Sequence, residues 1–368
     1  MTDPVGESTL LTSLAIRGVT LRNRIMLAPM CMYSSHDGLP SDFDVLHLGA
    51  RALGGAAVVL TGATAVESRG RITPSDLGIW SDAHTAPLAR LASVIESYGA
   101  LPGVQLAHAG RKASTKVPWA PVLGPLAPED GGWSVVAPSP LPFGPGDFPV
   151  PHELTAGEIA DIISAWAAAA RRSREAGFKV IEIHAGHGYL HHEFYSPVSN
   201  QRTDSYGGSF ENRTRFTLEV VDAIRTEWPE ELPLFIRISS TDWIEDRPSW
   251  TLSDSIELAR LLSPRGVDLI DCSSGSLFRL IGPKESPGYQ VPFAEKIRRE
   301  TGVLTAAVGM ITEPAQAEEI IATGKADIVA LGRVMLADPN WPLRAAQTLG
   351  VEAPWPRQYL LARQAIVR

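Results

Sequence analysis

The chain has 368 residues, of which 44% are hydrophobic and 20% are charged, a composition typical of a folded globular protein. Its formal net charge of −8 argues against nucleic acid as a main partner, because binding a polyanion needs a basic surface. The two cysteines, Cys31 and Cys272, are too few for a disulfide framework, a zinc ribbon or a cysteine-bound iron–sulfur cluster.

The N-terminal stretch "MTDPVGESTLLTSL" contains acids but neither the basic region nor the long apolar core of a signal peptide. No apolar run approaches the roughly 20 residues that a membrane-spanning helix needs. We therefore expect a cytoplasmic protein that has no membrane partner.

Short apolar runs rich in β-formers alternate with helical stretches, two of which are predicted over 155–177 and 313–326. Such β-then-α units imply parallel strands, and eight of them predict a single-domain α/β fold, a (β/α)₈ TIM barrel over 1–368. A doubly wound open sheet is the alternative, but no Gly-x-Gly-x-x-Gly follows a strand. The predicted strands are 25–28, 57–61, 103–107, 180–184, 234–238, 269–273, 304–308 and 328–331.

The segment 111–154 is dense in proline and glycine and has no hydrophobic period. A long irregular stretch inside a compact domain usually serves function, and this one follows the third strand, on the face where barrel active sites lie. We therefore expect it to cap the active site.

The ends of strands seven and eight carry a candidate phosphate site. Gly309 and Gly332 allow a close approach of the backbone, and Arg333 can pair with phosphate in a bidentate fork. The alternative is two turn glycines and a surface arginine, but their joint placement on a barrel favours phosphate.

Two polar residues lie within apolar strands. Arg237 is costly to bury unless it is paired, so it either neutralises an anion in the barrel mouth or forms an ion pair with an acid such as Glu182. Gln105 either hydrogen-bonds an amide-like edge or is a satisfied core residue. Spacing alone leaves both questions open.

Four of the nine histidines lie between His184 and His192. As hydrogen-bond donors, His184 and His187 would polarise a substrate carbonyl, and the Tyr189 hydroxyl would supply a proton. A polar loop or a metal site are the alternatives, but there is no His-Glu-x-x-His helix. Substrate binding is favoured, and His191 and His192 are left as loop or packing residues.

Cys31 either fills apolar space or tunes a cofactor through its thiol, whereas Cys272 is predicted to lie in the core.

These strand-end residues together resemble the old yellow enzyme family of FMN-dependent ene-reductases. The similarity extends from "RGVTLRNRIMLAPM" at 17–30 to "LGRVMLADPNWP" at 331–342, and "QLAHAGR" at 105–111 is one of its motifs. Its most specific stretch is "IEIHAGHGYLHHEFYSPVSNQRTDSYGGSFENRTRF" at 181–216. Cys31 and Tyr33 are similar to the thermophilic-like, or xenobiotic reductase, branch.

The resemblance implies a barrel that binds FMN and takes hydride from NADPH or NADH. The hydride then passes to the β-carbon of an electron-poor alkene (an enone, enal, maleimide or nitro compound) in a ping-pong reaction. His184 and His187 would hold the substrate oxygen with help from Tyr33, and Tyr189 would protonate the α-carbon. Arg237 would lie beside flavin N1. The implied cofactor-binding residues are Ala28, Pro29, Met30, Cys31, Ala63, Gln105, Arg237, Gly309, Met310, Gly332 and Arg333.

Two segments differ from the family pattern. "DWIEDRPSW" at 242–250 replaces an acid-Gly-Gly string. The segment 353–368 resembles an arm that enters a neighbouring active site, which implies a homodimer or homotetramer. Leu361 stands where an arginine is common, so Trp355 or Arg363 would replace it, and Tyr359 is present. Trp355 is thus a candidate for substrate binding.

The string "NQRTDSYGGSFENR" is interpreted as structural, with Asn200, Arg202, Asp204 and Glu211 in one charge network.

Two other functions remain as alternatives: a metal-dependent barrel hydrolase that uses the histidines, and a flavin-binding redox sensor that uses Cys31.

Overall fold

The computed structural model describes residues 8–144, 148–278, 282, 285–352 and 355–361. In this part of the chain eight parallel strands pair in sequence order, and the eighth pairs with the first to close a barrel. Each strand overlaps a predicted one, so the predicted (β/α)₈ barrel is confirmed. The strands are β1 Ile25–Leu27, β2 Val58–Ala65, β3 Leu101–Ala107, β4 Val180–Ala185, β5 Leu234–Ser239, β6 Leu269–Ser273, β7 Leu304–Ala307 and β8 Ile328–Leu331.

At least one helix lies between each pair of consecutive barrel strands. The predicted cap of the third helix is present, because the Thr155 hydroxyl accepts from the Glu158 amide and the Glu158 carboxylate accepts from the Thr155 amide. No helix of the described residues is both long and apolar enough to cross a membrane. The helices are α1 Asp42–Leu53, α2 Thr85–Ser97, α3 Ala156–Glu175, α4 Leu190–Tyr195, α5 Phe210–Glu227, α6 Leu252–Leu262, α7 Val291–Thr301, α8 Pro314–Ala322, α9 Arg333–Ala337 and α10 Trp341–Thr348.

Alternate strand residues face the barrel axis and form an inner core, separate from the outer core under the helices. A hairpin of Leu14–Ile16 and Val19–Leu21 adds Ile16 and Leu21 to this inner core. The hairpin therefore closes the N-terminal end of the barrel and leaves the opposite end for polar groups. The strand residues of the inner core include Met26, Val58, Leu60, Val180, Phe235, Leu269, Ala306 and Ile328.

The predicted capping segment contains two short paired strands, Val136–Ala137 and His152–Glu153. Trp133 fastens it to the loop after β2, because its indole N–H donates to the Arg69 carbonyl oxygen over 2.9 Å. The Arg71 guanidinium carbon lies 4.9 Å from the Trp133 ring centroid. The segment thus packs beside the barrel mouth.

Gly54, at the end of α1, offers a test of backbone packing. A Cβ atom there would lie 1.9 Å from the Pro339 carbonyl oxygen. We expect Gly54→Ala to lower the free energy of unfolding by about 1–3 kcal/mol, since the backbone must move. Gly157→Ala is the control, because its Cβ would meet nothing closer than the Thr155 hydroxyl at 4.0 Å. Equal thermal midpoints for the two variants would contradict this packing.

Candidate active site

A cavity of about 260 Å³ lies at the C-terminal end of the barrel. Cys31 and Ala63 line a second cavity of about 20 Å³, which shares Met30 with the first. Ten of the eleven predicted cofactor-binding residues therefore line two adjoining cavities. Those in the wall of the larger one are Ala28, Pro29, Met30, Arg237, Gly309, Met310, Gly332 and Arg333, and His187 joins them.

Gln105 is the exception among the predicted cofactor-binding residues. It is 2% exposed, and its Nε2 donates to Glu182 Oε1 over 2.8 Å. It does not line either of these two cavities. Its contact with a cofactor stays a prediction.

A buried charged layer underlies the larger cavity. Glu182, Arg237 and Asp271 each follow an inner-core residue by two positions, so strand alternation directs all three into the barrel. Both acids are fully buried, and Arg237 is 7% exposed. Arg237 Nε lies 3.4 Å from Asp271 Oδ2. The nearest acid is thus Asp271 and not Glu182, and Arg237 is ion-paired while it also lines the cavity.

The charged layer is incompletely hydrogen-bonded. Within the described residues, Arg237 Nε, Glu182 Oε2 and both Asp271 carboxylate oxygens have no hydrogen-bond partner. Burial, followed by the charge of Asp271, raises the pKa of Glu182 to about 8. Burial also raises the pKa of Asp271, while Arg237 opposes the rise. The cluster therefore has hydrogen-bonding capacity that a ligand or a proton can fill.

The candidate phosphate site is more open. Arg333 is 70% exposed in its side chain, and its Nη2 lies 2.7 Å from Glu285 Oε2. Gly309 has φ 114°, which favours glycine. A phosphate bound by Arg333 would therefore compete with Glu285, an interaction that the sequence pattern did not indicate.

The two candidate histidines form a directed chain of hydrogen bonds. The Gly186 amide lies 3.4 Å from His184 Nδ1, and His184 Nε2 lies 3.3 Å from His187 Nδ1. His187 Nε2 is in turn 2.6 Å from the Ser273 hydroxyl. Because the Gly186 amide can only donate, neutral His184 has its proton on Nε2, and neutral His187 has its proton on Nε2 as well.

Burial, followed by the charge of Arg237, lowers the pKa of His184 and of His187 well below the usual value. Both rings are therefore neutral near pH 7, and each offers one N–H. Burial also raises the pKa of Tyr189 well above 10, so its hydroxyl keeps its proton. The Tyr189 ring centroid lies 4.9 Å from that of His184. The three groups are hydrogen-bond donors beside one another.

Several predicted site residues have left-handed backbone. Tyr33, His187 and Met310 have φ of 51°, 56° and 53°. Non-glycine residues rarely adopt this conformation, and such strain clusters at functional sites. Neither the composition nor the residue spacing of the sequence predicts this left-handed backbone conformation.

Lys112 is a further residue of the site, to which the sequence pattern assigned no role. Its Nζ donates to the His187 carbonyl oxygen over 2.6 Å and to the Ser276 carbonyl oxygen over 3.1 Å. It also lies 4.8 Å from the Tyr189 ring centroid, and burial lowers its pKa to about 7. The strand-end stretch "GVQLAHAGRKA" at 103–113 contains Lys112, but nothing in the spacing of its residues indicates a contact with the turn after β4.

Cys31 has an environment that disfavours a thiolate. Burial, followed by the charge of Asp76, raises its pKa to about 12. A redox-sensing cysteine needs thiolate character at neutral pH, so this environment argues against the sensor alternative. Cys272 is fully buried, as predicted.

His191 packs in the outer core. It is fully buried, with its ring centroid 4.8 Å from those of Trp166 and Phe216. Across the described residues, no group of three or more His, Cys, Asp and Glu side chains could hold a metal ion. His191 is therefore a packing residue, one of the two roles expected for it.

The predicted charge network is present in part. Arg202 Nη2 lies 2.5 Å from Asp204 Oδ2, and Arg202 Nη1 donates to the Pro138 and Leu154 carbonyl oxygens of the capping segment. Glu211 instead lies in the first turn of α5 and forms no ion pair with the described residues. Arg202 thus ties the loop after α4 to the cap.

The C-terminal arm is described only at 355–361. Trp355 is half-buried and does not line the cavities above, while Tyr359 is 40% exposed. Leu361 is 82% exposed, and Arg363 lies outside the described residues. Entry of the arm into a neighbouring subunit stays a prediction.

Known proteins are similar to this chain over nearly its full length. An NADPH dehydrogenase of Bacillus subtilis is 44% identical over 352 residues, covering 95% of this chain and 98% of that protein. An NADH:flavin oxidoreductase of Gibberella zeae is 44% identical over 371 residues, covering 97% of this chain and 90% of that protein.

Solved structures agree with this similarity. Morphinone reductase has a TM-score of 0.78 at 26% identity, with 96% of this chain and 94% of that chain covered. The old yellow enzyme homologue from Zymomonas mobilis has a TM-score of 0.78 at 25% identity, with 92% of this chain and 93% of that chain covered. Residues 9–352 also match the family model of the NADH:flavin oxidoreductase / NADH oxidase family. The chain therefore belongs to the NADH:flavin oxidoreductase / NADH oxidase family, as the old yellow enzyme resemblance predicted, and is an FMN-dependent oxidoreductase.

Proposed function

We propose that this enzyme is an alkene reductase. It uses NADPH or NADH to reduce an electron-poor alkene, such as an enone, enal, maleimide or nitro compound, and both substrates use one site in turn. The observation that carries this proposal is the donor group of His184, His187 and Tyr189, two neutral imidazoles and a protonated phenol beside the arginine-lined cavity.

The cavity fits FMN in its chemistry. Arg237 lies in the cavity wall as a cation, and its buried Nε makes no hydrogen bond among the described residues. A fixed cation at this place suits a ligand that becomes negative on reduction. Gly309, Met310, Gly332 and Arg333 would hold the phosphate through backbone amides and a guanidinium. Small or apolar residues would line the ring, namely Ala28, Pro29, Met30, Cys31 and Ala63, with Gln105 at the pyrimidine end.

Bound FMN would supply a hydride acceptor for the nicotinamide and a hydride donor for the alkene β-carbon. The protein's part is to bind, orient and protonate. His184 donates its one N–H to His187 Nδ1 and His187 donates its one N–H to the Ser273 hydroxyl. A substrate carbonyl or nitro oxygen would replace these acceptors and take both N–H groups, which stabilises charge developing on that oxygen. Tyr189 donates its proton to the α-carbon. Tyr33 adds a hydrogen bond to the same oxygen.

Trp355 would contribute to substrate binding as part of the arm at 353–368, from the neighbouring subunit of a homodimer or homotetramer. The segment 111–154 would cap the site. The acidic net charge and the absence of a spanning helix among the described residues are consistent with the cytoplasm as its location.

A cofactor and activity assay tests the proposal. Purified protein should be yellow, or should retain yellow colour after incubation with FMN and removal of the unbound flavin by gel filtration. It should oxidise NADPH or NADH when 2-cyclohexenone or N-ethylmaleimide is present. Product analysis should find the saturated compound. A protein that binds FMN and oxidises the nicotinamide without reducing any alkene would refute the alkene-reductase assignment.

The two histidines should contribute chiefly to the alkene. We expect His184→Ala and His187→Ala each to lower kcat/KM for 2-cyclohexenone by on the order of 10²-fold, because one donor to the substrate oxygen is lost. Bound FMN should remain.

His152→Ala is the matched control, since this histidine is 53% exposed and pairs with Glu158 on the surface. Unchanged alkene reduction in both active-site variants would show that the substrate oxygen binds elsewhere.

A further inference from the structure

His187 and Tyr189 flank a strained turn. His187 has φ 56° and Gly188 has φ 72°, so two consecutive residues are left-handed. A Cβ atom at residue 188 would lie 2.4 Å from the Ser276 carbonyl oxygen, so glycine is required. A histidine in this conformation persists because surrounding contacts offset its cost.

One of these contacts comes from His192, in α4. The Gly188 amide donates to His192 Nδ1 over 2.9 Å in a buried position. Because a backbone amide can only donate, Nδ1 has no proton, and the proton of the ring is on Nε2. His192 Nε2 lies 2.7 Å from Asp242 Oδ1, and both side chains are fully buried. Asp242 thus selects the tautomer that can bind Gly188.

Asp242 is itself oriented by two donors. Its Oδ2 accepts from the Ser196 hydroxyl over 2.7 Å and from the Trp250 amide over 2.8 Å. Both donors bind Oδ2, which leaves Oδ1 for the His192 ring. Asp242 and Trp250 belong to the segment 242–250, whose sequence differs from the family pattern.

We propose that Asp242 and His192 are positioning residues for His187 and Tyr189. Asp242 fixes the tautomer of His192, so that Nδ1 carries no proton and accepts a hydrogen bond from the Gly188 amide. This hydrogen bond maintains the turn that directs the side chains of His187 and Tyr189 toward the substrate. The catalytic part of this proposal rests on the proposed function, whereas the tautomer and the turn do not.

Asp242→Asn reverses the polarity of the contact. The asparagine oxygen stays with its two donors, so the amide nitrogen faces His192 Nε2. His192 must then accept at Nε2 and place its proton on Nδ1, opposite the Gly188 N–H. We expect kcat for alkene reduction to fall on the order of 10²-fold, since misplaced groups react poorly, while FMN affinity is unchanged.

Nitrogen NMR of histidine-labelled protein tests the tautomer without activity. The expected result is a proton on His192 Nε2 in the wild type and on Nδ1 in Asp242→Asn, with faster hydrogen exchange of the Gly188 amide in the variant. A wild-type proton on Nδ1 would overturn the proposal. This NMR measurement remains decisive even if the wild type reduces no alkene.

Two substitutions of His192 separate positioning from packing. Asparagine places an oxygen close to the Nδ1 position and can accept from Gly188 without Asp242. Glutamine reaches Asp242 but has no acceptor at that place. We expect His192→Asn to exceed His192→Gln in kcat by about tenfold or more, and Asp242→Asn to cause no further loss in the His192→Asn background. Equal kcat for the two His192 variants would overturn the proposal, even if Asp242→Asn fails to fold.

Discussion

Arg237→Met should remove most of the enzyme's ability to accept hydride from NADPH. The guanidinium is the cation of the buried layer under the cavity and also lines the cavity wall, so we expect it to stabilise the negative charge that reduction brings. Loss of one preorganised donor of this kind typically slows a reaction by on the order of 10²–10³-fold. Stopped-flow measurement of flavin bleaching by NADPH checks this expectation.

The same change should destabilise the fold in a pH-dependent way. Glu182 has a folded-state pKa of about 8 against an ordinary value of 4.5, so the native state binds the extra proton. Stability that depends on this proton is complete below pH 4.5 and is lost as the pH rises toward 8. Without Arg237 the loss should be steeper, approaching about 3–5 kcal/mol at high pH, where both acids are charged and unpaired.

The triple variant Arg237→Met, Glu182→Gln, Asp271→Asn is the matched control. It removes the buried charges together, so it should recover stability and flatten the pH dependence while hydride acceptance stays slow. If Arg237→Met alone unfolded with the same pH dependence as the wild type, the buried acids would not be coupled to Arg237.

Tyr189→Phe should slow alkene reduction by about 10²–10⁴-fold, the usual contribution of a positioned proton donor. The ring and its contact with Lys112 remain, so only the hydroxyl is tested. Because the pKa of Tyr189 lies well above 10, its ionisation should cause no loss of rate below pH 10 in the wild type.

Tyr98→Phe is the control, since this tyrosine is 46% exposed on the surface. Steady-state rates with 2-cyclohexenone, together with flavin bleaching by NADPH, separate the two half-reactions. Equal slowing of both in Tyr189→Phe would contradict a role in protonating the alkene.

The barrel could be predicted from sequence because its signal is local. Each strand is a short apolar run, and strand alternation alone directs Arg237 into the interior. Strand ends of a parallel barrel converge on one face, so residues from Ala28 to Arg333 could be expected at one cavity. The capping box at Thr155 is likewise contained within four residues.

What could not be predicted depends on contacts between distant segments. Asp271 is paired with Arg237, and Glu285 with Arg333, through neighbouring strands and loops that no spacing rule connects. The four histidines between 184 and 192 comprise a hydrogen-bonded pair proposed to bind the substrate, one packing residue, and one partner of Asp242, which lies 50 positions away. Histidine type and sequence neighbourhood are the same in each case, so only the surroundings distinguish them.

An anaerobic double-mixing experiment tests the central claim most directly. Protein with bound FMN is mixed first with NADPH and then with 2-cyclohexenone, while flavin absorbance and saturated product are followed. We predict that absorbance falls in the first step and returns in the second, with about one product per flavin, and that the double variant His184→Ala, His187→Ala suppresses the return. Absorbance that stays low after the alkene is added to the wild type, or product that forms without any change in absorbance, would contradict it.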